Sequence, residues 1–434
     1  GGATDTPYIY ALNQRTRTDV SNVTFQDYSF KKPSYSFKQE QQGQELNCQR
    51  EGYEHFDAPT RYKDDESGKA FSRYRLEYLR RESHTATGKS NHASIQAGAK
   101  FSLTDHLDPS CNRNWLVVNA THTGSQPQAL EAEGIGGATT YNNQFTAIPA
   151  HRQWRASPVA APQVDGPMIA TVVGPDGEEI FCDEHGRVKL HFPWDRESKQ
   201  NEHSSCWVRV SQGWAGGHYG MMAIPRIGHE VIVSFLNGDP DQPIVTGRTY
   251  HVENTPYYPL PDNKAKTVLR SKTHLGEGFN ELSFDDQADN ELIYLHAQKN
   301  MQVKVSNSKQ TRVDYNHTTD IGNNEQRVIA NDRSVTVEGQ QSHHTKGSYL
   351  SKVQGDKHET IDGDLAKKIA GAVGINADGD ITIKSASKIT LQVGGSFVVV
   401  DGSGVAIDGS TIRIKSGGSP GSIPLPSSPA ILAA

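Results

Sequence analysis

The chain has 434 residues and a mass of 47.6 kDa, long enough for about three domains, with 34 % apolar side chains and 40 glycines. No run approaches ~18 consecutive apolar residues, which excludes a membrane-spanning helix, while 5 Trp, 16 Tyr and 13 Phe argue against gross disorder. A formal charge of −6 speaks against a general nucleic-acid binder, and four cysteines at no framework spacing (Cys48, Cys111, Cys182, Cys206) point to a reducing compartment without structural disulfides.

The chain opens Gly1-Gly2-Ala3-Thr4 without Met, so the native start is expected to be missing and the lack of a signal peptide carries no weight. Residues 1–157 mix helix and strand. Asp64, Asp65 and Glu66 open a stretch with Phe71, Tyr74, Tyr78 and Leu79 at helical spacing, and Arg80 and Arg81 stand near its end, as the helix dipole prefers. Short alternating segments around it, such as Tyr35-Ser36-Phe37 and Trp115-Leu116-Val117-Val118, read as strands. Pro158 and Pro162, between Ala156 and Val164, mark a linker. Five short strands follow, at 169–173, 188–192, 207–211, 231–236 and 244–249, punctuated by turns such as Pro175-Asp176-Gly177 and Asn237-Gly238-Asp239-Pro240. Five strands in about 90 residues predict a small closed barrel of the oligonucleotide/oligosaccharide-binding (OB) type.

From Met301 the chain divides into blocks of eight. The fifth place reads Val305, Val313, Ile321, Ile329, Val337, Thr345, Val353, Ile361, Ile369, and later Val393; the seventh is Gly or Asn in most blocks, with Tyr315 and Ser387 among the exceptions. Gly and Asn tolerate positive φ at a tight corner. Each block therefore predicts a short strand with one obligate buried side chain, then a turn: a β-solenoid. One apolar residue per block cannot enclose a core. Either one chain coils with three blocks per turn, or three chains intertwine and each supplies one face per layer. The strict block-by-block equivalence favours three chains around one axis, with the fifth-place residues as trimer core. From Val373 onward, first and third places also become apolar (Val373 and Ile375, Ile381 and Ile383, Ile389 and Leu391, Phe397 and Val399, Val405 and Ile407), which predicts a drier distal needle.

DEHGRVKLHFPWDR at 183–196, CWVRV at 206–210, GWAG at 213–216 and IPRIGHEVIVSFLNGDPDQP at 224–243 resemble the signature of the VgrG spike proteins of type VI secretion. NELSFDD at 280–286 and LHAQK at 295–299 are similar to that family's entry into its needle, although Asn290 stands where Gly is common. The resemblance covers essentially the whole chain, and 1–157 is similar to the later part of a phage-related hub domain. The implied fold is mainly β: an α+β hub (1–157), an OB-fold barrel (158–260), a neck (261–300), an intertwined triple-stranded β-helix needle formed by a homotrimer (301–416) and a Pro-rich tail (417–434). The implied function is a membrane-puncturing spike at the tip of the type VI secretion tube. It would sit on the Hcp tube at the hub end, take a PAAR-repeat tip protein and effectors at the needle end, and be made in the bacterial cytoplasm and exported without a signal peptide. The competing reading is a sugar- or oligonucleotide-binding trimeric fibre, against which the barrel lacks an interleaved basic and aromatic face.

No enzyme is expected. The stretch 252–264, where phage relatives carry a lysozyme, is a short Pro-rich connector, and no Ser/His/Asp, P-loop or HExxH arrangement occurs. Cys182-x-x-His185 and His203-x-x-Cys206 have the local spacing of a zinc site; the preferred reading makes the cysteines small core residues and leaves the histidines on loops. His343 and His344 fall at neighbouring places of one needle block, so one would face the axis and could hold an ion with its two copies. The alternative is a hydrated polar layer matching Arg327, Glu359 and Lys367 at the same third place. No cofactor is otherwise expected. In the tail, Pro420, Pro424, Pro426 and Pro429 forbid a continuing ladder, and Ile423, Leu425, Ile431 and Leu432 are the apolar points that a partner would read.

Overall fold

In this computed structural model, which describes residues 6–129 and 137–414, the chain divides into two units, 1–302 and 303–434. The first begins with a five-stranded antiparallel sheet in the order Ile9–Thr16, His84–Ser90, Thr140–Pro149, Asn114–Ser125, Lys100–Ser102. Its core gathers Trp115, Phe145, Ala86, Val117 and Ala147, and the Trp115 indole N–H donates to the Cys111 carbonyl at 3.0 Å. A second sheet, Phe37–Gln42, Asn22–Asp27, Glu54–Asp57, is covered by the helix Asp65–Leu79.

That helix starts where the acidic cluster predicts. Asp64 caps it, its carboxylate accepting the Ser67 amide at 2.8 Å. Its buried face, however, is Gly68, Ser72 and Leu76, whereas Phe71 and Tyr74 are exposed. The reason is a close approach. A Cβ on Gly68 would lie 2.5 Å from Tyr62 Cε2, so only glycine lets the helix settle over that ring. The aromatics on the outer face instead meet cations, Tyr74 lying under Arg73 and Arg155 and Tyr78 under Arg81. Arg80 also departs from expectation. It lies just past the last helical residue, is buried, and donates to the carbonyls of Val20 (2.8 Å) and Gln44 (3.0 Å).

The linker carries no regular structure over 153–165 but is tied down where Val164 N–H donates to Gly238 O at 2.9 Å. The barrel follows as a five-stranded sheet in the order Lys189–His191, Met168–Val173, Glu230–Phe235, Pro243–Thr249, Arg209–Val210. An antiparallel bridge between Val188 and Val208 joins its two end strands, so the sheet closes on itself, as the strand spacing predicts. Ala170, Val172, Val188, Leu190, Val208, Val231, Val233 and Val245 fill the interior. A meander of Lys266–Arg270, Glu281–Asp285 and Leu292–His296 then forms the neck.

In the second unit the chain bends at 306–307 and again every eight residues to 386–387, eleven corners at the sixth and seventh places of the blocks. From 388 the pattern changes. Lys388–Val393, Ser396–Asp401 and Gly404–Asp408 form an antiparallel meander within the chain. The octad count does not anticipate this. Gly394-Gly395, with Gly394 at φ +55°, is a two-residue hairpin turn between alternating strands, a local signal stronger than the count of eight.

Candidate functional site

The shaft from 301 to 387 is the functional feature that the sequence singles out, and its geometry is unusual for one chain. Among the described residues, none from 301 to 387 donates a main-chain hydrogen bond to another main-chain group, and every one is exposed. Val305, Val313, Ile321, Ile329, Val337, Val353, Ile361 and Ile369 are 44 to 54 % exposed. A chain in this state satisfies neither its backbone nor its apolar side chains by itself. Val393 stands apart at 84 % exposure, paired with Ser396 across the hairpin turn rather than sitting before an octad corner.

The corners are also made differently from the expectation. Gly347 and Gly355 do not adopt positive φ, and a Cβ on either would meet nothing of its own chain within 4 Å. Glycine at the seventh place is therefore not demanded by local backbone strain.

Three joints brace the first unit. Glu179 on the barrel accepts from Arg226 (3.2 Å) and from the Leu275 amide (3.1 Å), and lies 3.6 Å from Lys272 Nζ and 3.5 Å from His274 Nδ1, while Arg226 also donates to the Lys272 carbonyl at 2.6 Å. The Leu275 amide, then the charges of Lys272 and Arg226 and the His274 hydrogen bond, hold the Glu179 carboxyl below its usual range against the opposing effect of burial. Barrel and neck are thus locked through one carboxylate. Within the neck, Glu281 has no exposed side-chain surface; it accepts from Arg270 Nη1 at 2.9 Å and from the hydroxyls of Tyr258 and Ser283, each at 2.8 Å. The Arg270 guanidinium is sandwiched between Tyr257 and Phe279, 3.2 and 3.3 Å from the ring centroids. Hub and barrel meet where Phe30 packs against His185, Arg187 and Arg209, and where Arg61 pairs with buried Asp239 at 3.0 Å. Sequence reasoning missed these joints: the Glu179 and hub–barrel contacts unite residues tens to nearly two hundred positions apart, and Glu281 meets Arg270 only once their two neighbouring strands have paired.

The zinc candidates are not brought together. Among the described residues no group of three or more His, Cys, Asp or Glu is placed to hold a metal. His185 packs edge-on against Phe30 at 5.4 Å, and His203 pairs with Glu202 at 3.3 Å. The preferred reading is corrected in turn: Cys182 and Cys206 are both exposed, not core residues. The reason is that both cysteines lie in irregular chain ahead of the barrel strands Lys189–His191 and Arg209–Val210, so strand alternation does not turn them toward the core that Val188 and Val208 enter. His343 Nε2 lies 2.6 Å from Gln341 Nε2, and both His343 and His344 are exposed. Ile423, Leu425, Ile431 and Leu432 lie outside the described residues. No helix among those described is long and apolar enough to cross a membrane.

Comparison with known proteins places names on this order of parts. Residues 1–128 match the phage tail baseplate hub, 181–250 the type VI secretion system/phage-baseplate injector OB domain, and 267–396 the bacteriophage T4 gp5 C-terminal trimerisation domain. The chain is 66 % identical over 316 residues to the actin cross-linking toxin VgrG1 of Vibrio cholerae, covering 73 % of this chain and 29 % of that protein. It is 64 % identical over 299 residues to the type VI secretion system spike protein VgrG3 of the same species, covering 69 % and 29 %. Among solved structures it is similar to the E. coli c3393 protein, a type VI component described as resembling T4 tail proteins gp27 and gp5, with a TM-score of 0.31 at 20 % identity over 43 % of this chain and 44 % of that one. The chain spans about three tenths of the length of those two Vibrio relatives. With a hub, an OB barrel and a trimerisation domain matched in that order, and nearly two-thirds identity to a named spike protein, the chain belongs to the VgrG family of type VI secretion spike proteins.

Proposed function

We propose that three copies of this chain intertwine into a mechanical spike, seated by the hub on the Hcp tube and carrying effectors and a PAAR-repeat tip protein toward a target membrane. The spike is made in the bacterial cytoplasm and leaves with the secreted tube. The region described acts by shape and stiffness, not by catalysis; the toxin in the name of one relative is matched over only 29 % of that protein. One observation carries the reading: a shaft with corners every eight residues and no main-chain pairing of its own, inside a segment that matches a trimerisation domain. Intertwining would bond each strand to other chains and put Val305, Val313, Ile321, Ile329, Val337, Val353, Ile361 and Ile369 around the axis, leaving no free edge to fray under axial load. His343 would share that face and could hold an ion with its two copies. Sedimentation equilibrium of the full chain should give three times 47.6 kDa; a stable monomer overturns the proposal. Loss of Hcp export on deleting the chain from a secreting cell, restored by the intact chain and not by a trimer-breaking variant, tests the spike role.

A further inference from the structure

The turn that leads into the barrel strand Glu230–Phe235 ends on a half-buried histidine, His229, that takes no part in the three joints. Two hydrogen bonds close this turn between the same pair of residues. His229 N–H donates to the Arg226 carbonyl at 3.0 Å, and the Arg226 amide donates to His229 Nδ1 at 3.3 Å. A backbone N–H can only donate, so Nδ1 must offer a lone pair, and the ring is neutral with its proton on Nε2. The surroundings favour that form. Arg248, on the strand Pro243–Thr249, and Arg226 are the charges that bear on the ring. The strand Met168–Val173, which Gly228 N–H joins at the Val172 carbonyl (2.8 Å), carries no titratable side chain. Of the nearby carboxylates, Glu230 accepts the Thr249 hydroxyl, and Glu179 is taken by Arg226, Lys272, His274 and the Leu275 amide. Burial first, then the Arg248 and Arg226 guanidiniums, hold the imidazole below its ordinary 6.5.

We infer that His229 is a proton-operated latch on the barrel–neck joint, holding the joint while neutral and releasing it when protonated. Arg226 is the residue through which this turn grips the neck, its guanidinium donating to Glu179 at 3.2 Å and to the Lys272 carbonyl at 2.6 Å. An imidazolium has no lone pair at Nδ1, so its Nδ1–H faces the Arg226 amide, donor against donor. Its charge also falls near Arg226 and Arg248 with no carboxylate free to receive it. The turn then opens and carries Arg226 away from its two acceptors, which frees the neck from the barrel at that point. Protons therefore favour the open turn: the closed one is fully favoured above 6.5 and loses ground as pH falls below it. An imidazole kept neutral in the closed turn and ordinary in the open one favours opening by up to about 25-fold between about pH 7 and about pH 5. His274, 3.5 Å from Glu179 on the neck side, acts the opposite way, since its protonation would tighten the ion pair. The latch operates within one chain and does not depend on the assembly proposed above.

Amide hydrogen exchange of the full chain tests this, read on peptides covering 226–230 and 271–276 and corrected for the intrinsic pH dependence of exchange. The latch predicts that opening of both segments accelerates at least about tenfold between about pH 7 and about pH 5, while the neck strands Lys266–Arg270 and Glu281–Asp285 change by less than about twofold. His229→Asn keeps an acceptor in place, because Asn Oδ1 occupies the position of Nδ1, and it cannot take a proton; it should stay as protected at about pH 5 as the parent is at about pH 7. His229→Gln sets its oxygen one bond further out, so it should be as open at about pH 7 as the parent is at about pH 5, and indifferent to pH. No acceleration in the parent, or equal acceleration in the neck strands, overturns the latch. So does an acid response that persists in His229→Asn, or equal protection of the Asn and Gln variants at neutral pH. An acid response abolished by His274→Asn assigns the effect to that ring and overturns the latch as well.

Discussion

Arg270→Ala is expected to open the neck locally. Both neutral donors to Glu281, Tyr258 and Ser283, reach its Oε1, whereas Arg270 alone reaches Oε2. Removing the guanidinium therefore leaves one oxygen of a fully buried carboxylate with no donor and the charge with no partner. Breaking one side of a buried pair costs about 3–5 kcal/mol, and losing the cation between Tyr257 and Phe279 adds about 0.5–1 kcal/mol per ring. A chain of several domains has no single unfolding free energy, so the measurement must be local: amide hydrogen exchange of the strands Lys266–Arg270 and Glu281–Asp285. About 3 kcal/mol, the low end, corresponds to exchange faster by about a hundredfold. The double variant Arg270→Met with Glu281→Leu should recover most of the protection, because an apolar pair of similar size needs no partner. The pH dependence changes sign. Burial alone raises the Glu281 carboxyl, and hydrogen bonds from Tyr258, Ser283 and Arg270 more than reverse it, so in the parent it titrates below its usual range. That contribution is present above the unfolded value and is lost as pH falls through the folded one. In Arg270→Ala burial dominates, so the carboxyl rises, and protection should increase as pH drops from about 7 toward about 5. Exchange within about threefold of the parent at neutral pH, or protection that does not rise between about pH 7 and about pH 5, would refute the reasoning.

In the shaft, Ile361→Asp should strip the trimer of its resistance to heat and detergent, since it sets three unpaired charges in one layer at several kcal/mol each; unchanged resistance would count against the assigned register. In the hub, burial alone would raise the Glu45 carboxyl, but hydrogen bonds and charge from Arg152 and His151 hold it at about 2 against an ordinary 4.5. Its stabilising share is present above 4.5 and is lost as pH falls toward about 2. Glu45→Gln should therefore flatten the pH dependence of hub melting across that window, and a variant that still tracks the parent would show that other carboxylates carry it.

What the sequence determined by itself is whatever is written in short periods. The corner spacing of 306–387, the five barrel strands and the capped start of the helix at Asp64 each follow from residues within about ten positions of one another, where steric preference and alternation act directly on the backbone. Gly394-Gly395 was equally local, and only the competing count of eight hid it. Which helix face is buried was not local: Phe71 and Tyr74 look like core residues until the sheet carrying Val23, Phe25, Phe37 and Gln39 comes against the face of Gly68 and Leu76. Nor were the joints. Glu179 meets Leu275 across 96 positions and Arg61 meets Asp239 across the hub–barrel contact, pairings that depend on how finished elements dock. Local preference is paid residue by residue and shows in the chain; the burial that turns Arg270 and Glu281 into a neck plug, or leaves Cys182 and Cys206 on the barrel rim, exists only once distant surfaces have excluded water between them.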